Sequence, residues 1–167
     1  MTELLDTLQR WFVSLPHCAT LGFEFIGVED GKPTLKVNYR DDLVGNGSNG
    51  VIHGGVITSL VDTTSALSVF SHLDSAEAMA TLDLRIDYLK AATPHQAIYC
   101  TAECYKLARQ IAFTRAVCHH GDPNDPHCPR HRHLYACHLH QPVRTGGGMS
   151  QLMQTFAALR ETKDYTG

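Results

Sequence analysis

The segment that most constrains the fold is residues 51–73, VIHGGVITSLVDTTSALSVFSHL. After Gly55 it contains neither glycine nor proline, and its apolar residues fall on most sides of a helix. These are Val56, Ile57, Leu60, Val61, Leu67 and Phe70. Its β-branched residues leave a strand pair as an alternative, but the length favours a buried helix of about five turns. The rest of the chain then has to wrap around this helix.

Upstream, the sequence predicts one helix and two strands. Residues 2–14 carry apolar side chains at helical spacing, with Thr2 as the N-cap and Pro16 as the limit. These apolar side chains are Leu4, Leu5, Leu8, Trp11 and Phe12. Residues 23–40 read as two strands around a turn at 29–33, and Pro33 indicates a loop longer than two residues.

Downstream, the pattern changes to strands. Residues 80–94 alternate: one face has Leu82, Leu84, Ile86 and Tyr88, and the other has Asp83, Arg85 and Asp87. We expect the charged face to be solvated or to meet another subunit. Residues 96–120 predict two long strands around 107–110. The fold class is therefore α+β, an antiparallel sheet wrapped around one long helix.

Length and charge exclude several classes of protein. The chain has 167 residues and a formal net charge of −3, without a basic block, so nucleic acid is not an expected partner. No apolar run resembles a signal peptide or a membrane span, so a cytoplasmic location and no membrane partner are expected. The cysteines form no CxxC pair and are expected to be free thiols.

The chemistry is expected where a loop leads into the long helix. Gly54 and Gly55 would let another molecule approach the backbone. The first-turn N–H groups lack intrahelical partners and lie at the positive end of the helix dipole, so they can hold a developing oxyanion. Asp62 is a carboxylate within an apolar helix, which calls for a partner or a task. The alternatives are a tight turn at Gly54-Gly55, a capping Asp62 and a structural His53.

HGGVITSLVD followed by TLDLRIDYLKAATP resembles the hotdog-fold acyl-CoA thioesterases of the PaaI type, over about residues 15–120. The shared signature is HGG, an acid nine residues after the histidine, and a strand of this kind. VGNGSNGVIHGG is similar to a bacterial medium- and long-chain branch of that family, because Asn46 stands seven residues before His53. In the PaaI branch the polar residue stands six before, where this chain has Gly47.

The resemblance implies a mechanism without a cofactor. The Gly55 N–H would polarise the thioester carbonyl, and Asp62 would activate water or attack directly. Asn46 would help to place the water or the thioester, and His53 would brace the loop. Gly55 and Asp62 are about 10 Å apart along a helix, which predicts a site shared between chains of a homodimer or tetramer. An aryl-CoA thioesterase and a non-catalytic acyl-CoA-binding module are the alternatives.

Further substrate contacts are hypotheses at this stage. Gly54 at the start of the helix, and Thr63 and Ser65 directly after Asp62, are candidates for contact with acyl-CoA. The two hydroxyl groups have the alternative of bonding back to the helix. Lys90 and Arg109 are candidates for the coenzyme A phosphates, with solvated surface charges as the alternative.

The last part of the chain, 126–167, differs from the hotdog domain expected over 1–125. HCPRHRHLYACHLHQ is rich in histidine and cysteine, yet its spacings match no compact zinc module, so we expect no metal there. Read one base forward, its codons would encode a β-branched strand of the kind that the fold requires at this place. We therefore expect an atypical tail instead of the C-terminal strand, and hypothesise a frameshift from about residue 126. An unusual natural tail is the alternative.

Overall fold

A computed structural model describes residues 10–73, 78–121 and 133–145, the last segment by its backbone alone. Its elements in chain order are α1 (Pro16–Leu21), β1 (Phe23–Glu29), β2 (Lys32–Val37), a 3-10 turn (Asp41–Leu43), β3 (Val44–Asn46), β4 (Val51–Ile52), α2 (Gly54–Phe70), β5 (Ala78–Met79), β6 (Asp83–Tyr88), β7 (Ile98–Leu107), β8 (Ile111–His119) and β9 (His133–Thr145). No described helix has both the length and the apolar character needed to cross a membrane.

The predicted architecture is confirmed. Seven antiparallel strands form a sheet in the order β1-β2-β7-β8-β9-β5, with β6 also paired to β9, while β3 and β4 form a separate ribbon. The sheet wraps α2, whose sheet-facing side chains Ile57, Leu60 and Leu67 are fully buried. Alternate residues of β7 and β8 complete this core, because successive side chains of a strand point to opposite faces.

The β1–β2 hairpin corrects one prediction. Its loop is the two-residue turn Asp30-Gly31, with both residues at positive φ, rather than a longer loop. Pro33 is tolerated because it pairs with Val28, one position beyond the Glu29–Lys32 pair that flanks the turn. At that position its nitrogen points away from β1, and the pairing of β2 with β7 begins only at Thr34.

The described residues begin near the end of the predicted N-terminal helix. Residues 10–14 are helical, and the expected Thr2 cap lies outside the described residues. Phe12 is buried against Phe70 at the far end of α2, with ring centroids 5.4 Å apart. Pro16 does end this segment, but it also occupies the first turn of α1, where its missing N–H costs nothing.

At the C-terminus the structure differs from the expectation of an atypical tail. Residues 133–145 form β9, which lies between β8 and β6 and pairs with both. A gap at this place would leave two rows of backbone N–H and C=O groups unpaired. Any extended segment without frequent prolines can satisfy these groups, because the ladder uses backbone atoms only. Residues 122–132 and 146–167 lie outside the described residues, and the frameshift stays a hypothesis.

Candidate active site

His53 caps the start of α2. Its Nδ1 accepts a hydrogen bond of 2.9 Å from the Gly55 N–H, and its backbone N–H donates to the Leu43 carbonyl at 2.8 Å. A Cβ on Gly55 would lie 2.9 Å from His53 Nδ1, so only glycine allows this cap. The expected oxyanion donor is therefore already used within the chain, and a bound oxygen has to share or displace the imidazole.

Gly54, the first residue of α2, provides the second first-turn donor. Its N–H has no hydrogen-bond partner among the residues that the structure describes. Its carbonyl accepts from the Thr58 hydroxyl at 3.1 Å and from the Tyr88 hydroxyl at 3.3 Å. The Tyr88 ring covers this glycine so closely that a Cβ there would lie 3.2 Å from the phenolic oxygen. The end of β6 is thereby fixed against the start of the helix.

Asn46 ends β3 and organises the turn to β4. Its Oδ1 accepts from the Ser48 N–H at 3.0 Å and from the Ser48 hydroxyl at 2.7 Å, the geometry of an Asx turn. Its backbone carbonyl accepts from the N–H groups of Asn49 and Gly50. The carboxamide oxygen therefore stabilises the turn, while the Asn46 amide nitrogen has no hydrogen-bond partner in the described part of the chain.

Asp62 is not buried in the apolar core, as the sequence had indicated, but lies half-buried on the face of α2 turned away from the sheet. Its Oδ1 accepts a hydrogen bond of 2.7 Å from the Thr81 hydroxyl. No described residue bonds its second oxygen. One oxygen is thus held in place and the other is left for a ligand. Thr81 was not predicted to have a role; its position at the start of the alternating segment 80–94 was its only sequence signal.

The other candidate residues fall in three places. Thr63 is one residue beyond Asp62, and its hydroxyl lies 3.7 Å from the Cys18 sulfur of α1. Ser65 is fully buried within the core, out of reach of a ligand on the helix surface. Lys90 follows the Tyr88 end of β6, whereas Arg109 lies in the β7–β8 turn beyond the opposite end. The length of β6 alone, roughly 17 Å, separates them, so one chain does not bring both to one phosphate.

A cavity of about 400 Å³ opens beside the start of α2. Its walls come from α1, the 3-10 turn, β3 and α2. The lining residues are His17, Leu21, Asp42, Leu43, Val44, Gly45, His53, Gly55, Val56 and Ser59. His53 and Gly55 therefore face a space of ligand size. Asp62 is not among the lining residues, which agrees with the separation of Gly55 and Asp62 along the helix.

The contact of α1 with α2 closes one side of this region. His17 Nε2 lies 3.0 Å from the Ser59 hydroxyl, which donates to the Gly55 carbonyl at 3.0 Å. Burial raises the pKa of the Cys18 thiol, and the nearby Asp62 charge acts in the same direction. Cys18 is therefore a neutral packing group rather than a thiolate nucleophile.

These features define a class of protein. An antiparallel sheet wrapped around a helix that begins at His-Gly-Gly, with an acid two turns along, is the hotdog fold of thioesterases. The thioesterase superfamily model matches residues 49–126. The chain belongs to this superfamily.

Individual relatives agree. The chain is 29% identical over 134 residues to the medium/long-chain acyl-CoA thioesterase YigI of Salmonella typhimurium, covering 72% of this chain and 86% of YigI. A Halobacterium salinarum protein with an esterase name is 36% identical over 75 residues, but these span only 43% of this chain and 50% of that protein. The crystal structure of a Pseudomonas aeruginosa protein superposes with a TM-score of 0.69 and 35% identity over 85% of this chain and 99% of the other.

Proposed function

We propose that the chain hydrolyses acyl-CoA thioesters to a free acid and coenzyme A, with medium or long acyl groups preferred. Membership of the thioesterase superfamily supports the reaction class, and the similarity to YigI supports the substrate. The observation that carries the proposal is the Asp62 carboxylate, with one oxygen bonded to Thr81 and the other available. A carboxylate held in this way is suited to take a proton from water.

The reaction follows from these groups. Asp62 takes a proton from water while the water oxygen attacks the thioester carbon. The carbonyl oxygen becomes an oxyanion, which the Gly54 N–H stabilises at the positive end of the helix together with the Gly55 N–H, once the latter is shared with or released by His53 Nδ1. Collapse of this intermediate breaks the carbon–sulfur bond, and the Asp62 proton passes to the coenzyme A thiolate. Direct attack by Asp62, followed by hydrolysis of the anhydride, would use the same residues.

We propose further that two copies of the chain share each site. Gly55 and Asp62 lie about 10 Å apart along the helix axis, too far for both to contact one thioester carbon. In the described part of the chain, β6 pairs with β9 on one side only, so its other edge is available to a second β6. Around this edge Leu82, Tyr88 and Leu89 are 61%, 53% and 61% exposed. A two-fold axis at this edge would make a self-complementary interface.

The first test is Asp62→Asn, assayed with acyl-CoA of increasing chain length by detection of the free thiol. The Thr81 hydroxyl can still donate to the Asn oxygen, so the fold should be kept, while kcat/KM should fall by about 10²–10⁴ because the base is lost. Near-normal activity in a folded dimer would contradict the mechanism. Binding without turnover in the wild-type protein would indicate an acyl-CoA-binding module, and a preference for aryl-CoA would correct the substrate.

A mixture tests the shared site. Asp62→Asn and Gly55→Ala chains are co-expressed with different tags, and activity is compared with each variant alone. About half of the dimers then contain one chain of each variant. In such a dimer one of the two sites combines an intact Gly55 with an intact Asp62, so the activity should approach about a quarter of the wild-type value. Activity no higher than that of the single variants would place both residues of a working site in one chain.

A further inference from the structure

We propose that His17 limits the length of the acyl group that the site accepts. This rests on the proposed function, because it concerns the acyl part of the substrate. His17 lies on α1 and lines the cavity beside Gly55.

The lining of the cavity indicates which part of the substrate enters it. Leu21, Leu43, Val44 and Val56 provide apolar walls. Among the described residues, none that lines the cavity is a lysine or an arginine, and the only acidic one is Asp42, which pairs with Arg40 at 2.9 Å. Such a space suits an acyl chain and opposes the phosphates of coenzyme A, since anions seek cationic partners. We therefore place the acyl group in the cavity and coenzyme A outside it.

His17 stands across the path of a chain that follows the helix from Gly55. Ser59 is one turn beyond Gly55, about 6 Å along the axis, and its hydroxyl lies 3.0 Å from His17 Nε2. Because the Ser59 hydroxyl donates to the Gly55 carbonyl, its oxygen accepts from His17 Nε2–H. This hydrogen bond places the imidazole as a polar wall facing the apolar side chains of the cavity.

Contacts of Cys18 and Thr20 hold α1, and with it His17, in place. Cys18, the next residue, is 3% exposed and contacts Thr63 on the following turn. At the other end of α1, the Arg40 guanidinium donates to the Thr20 carbonyl at 2.9 Å and pairs with Asp42. An acyl chain long enough to reach His17 therefore has to bend away or displace the ring from Ser59.

The test is the acyl-length profile of His17→Ala, measured as kcat/KM from butanoyl-CoA to hexadecanoyl-CoA. Each additional methylene that becomes buried contributes roughly fourfold, so room for two should raise the long-to-short ratio about fifteen-fold. Ser59→Ala, which releases the ring without removing it, should give a smaller change in the same direction. His72→Ala is the matched control, because His72 bonds the Ser68 carbonyl at the far end of α2 and should leave the profile unchanged.

The outcomes separate this inference from the proposed function. If the wild-type protein hydrolyses acyl-CoA but His17→Ala gives a parallel length profile, the role of His17 is refuted and the hydrolase stands. If no acyl-CoA is hydrolysed, the proposed hydrolase activity is refuted, and binding of the same acyl-CoA series is measured by calorimetry instead. A shift of that binding series towards longer chains in His17→Ala supports the wall, and an unchanged series refutes it.

Discussion

Gly45 in β3 and Gly47 in the turn that follows it provide a sharp test of how the site is held. A Cβ on Gly45 would lie 3.0 Å from His53 Cα and 3.1 Å from His53 Cδ2, closer than normal packing. A Cβ on Gly47, two residues further on, would meet nothing within 4 Å. Neither glycine has a positive φ, so alanine is compatible with the backbone at both positions. Gly45→Ala and Gly47→Ala therefore differ mainly in their contact with His53.

The expected magnitudes follow from these contacts. Gly45→Ala forces the backbone of His53 to shift, and overpacking of this kind costs about 1–2 kcal/mol of unfolding free energy. For a chain of this length that lowers Tm by about 2–8 °C. Because His53 Nδ1 holds the Gly55 N–H at 2.9 Å, the shift also moves this proposed oxyanion donor, and kcat/KM should fall about tenfold or more. Gly47→Ala should stay within about 0.5 kcal/mol of wild type with normal activity.

Thermal unfolding and acyl-CoA hydrolysis are measured on both variants. The informative quantity is the difference in Tm and in kcat/KM between the two variants, because the substitution is the same and the two positions are only two residues apart. Equal Tm and equal kcat/KM for Gly45→Ala and Gly47→Ala would show that the contact of Gly45 with His53 does not control the helix start.

Two further predictions concern hydrogen bonds and pH. Thr81→Val should lower kcat/KM about tenfold, because the hydroxyl that holds one oxygen of Asp62 is lost. Thr81→Ser should behave as wild type, and equal kcat/KM for the two variants would refute this role. Lys32 and then Arg115 hold the pKa of Glu103 below its ordinary value. A carboxyl group whose pKa is lowered by folding stabilises the folded state at pH values above its pKa in the unfolded chain, and this stabilisation is lost as the pH falls through its pKa in the folded state. The Tm of the wild type should therefore fall more steeply from pH 6 to 3 than the Tm of Glu103→Gln. Parallel curves of Tm against pH would contradict this.

The fold could be predicted from the sequence because its elements have strong periodic patterns. The apolar segment after Gly55 has no alternative to burial, and it forms α2 from Gly54 to Phe70. The alternation in 80–94 places Leu84 and Ile86 against the core in β6. The predicted length of the first hairpin loop was wrong, because the sequence does not show whether the Pro33 nitrogen points towards β1 or away from it. That depends on pairing register, which is a property of two strands together.

The site was harder to predict, since its contacts join residues distant in sequence. The contact between His17 and Ser59 spans 42 positions, and that between Thr81 and Asp62 spans 19. No local periodicity reports such contacts. The Gly55 cap was missed for a different reason: histidine is not a favoured N-cap residue, so His53 was assigned to the loop and not to the helix. Ser65 was misplaced because proximity in sequence to Asp62 does not fix the helix face.

Although β9 holds none of the proposed functional residues, it supports the whole site. Both parts of the site depend on β6: Thr81, just before this strand, bonds Asp62, and Tyr88, its last residue, bonds the Gly54 carbonyl. Among the described strands, β6 pairs only with β9, through six consecutive positions. The backbone of residues 133–145 therefore links the Asp62 carboxylate and the start of the helix to the sheet. A segment with an atypical composition can do this, because the ladder requires extended backbone and not particular side chains.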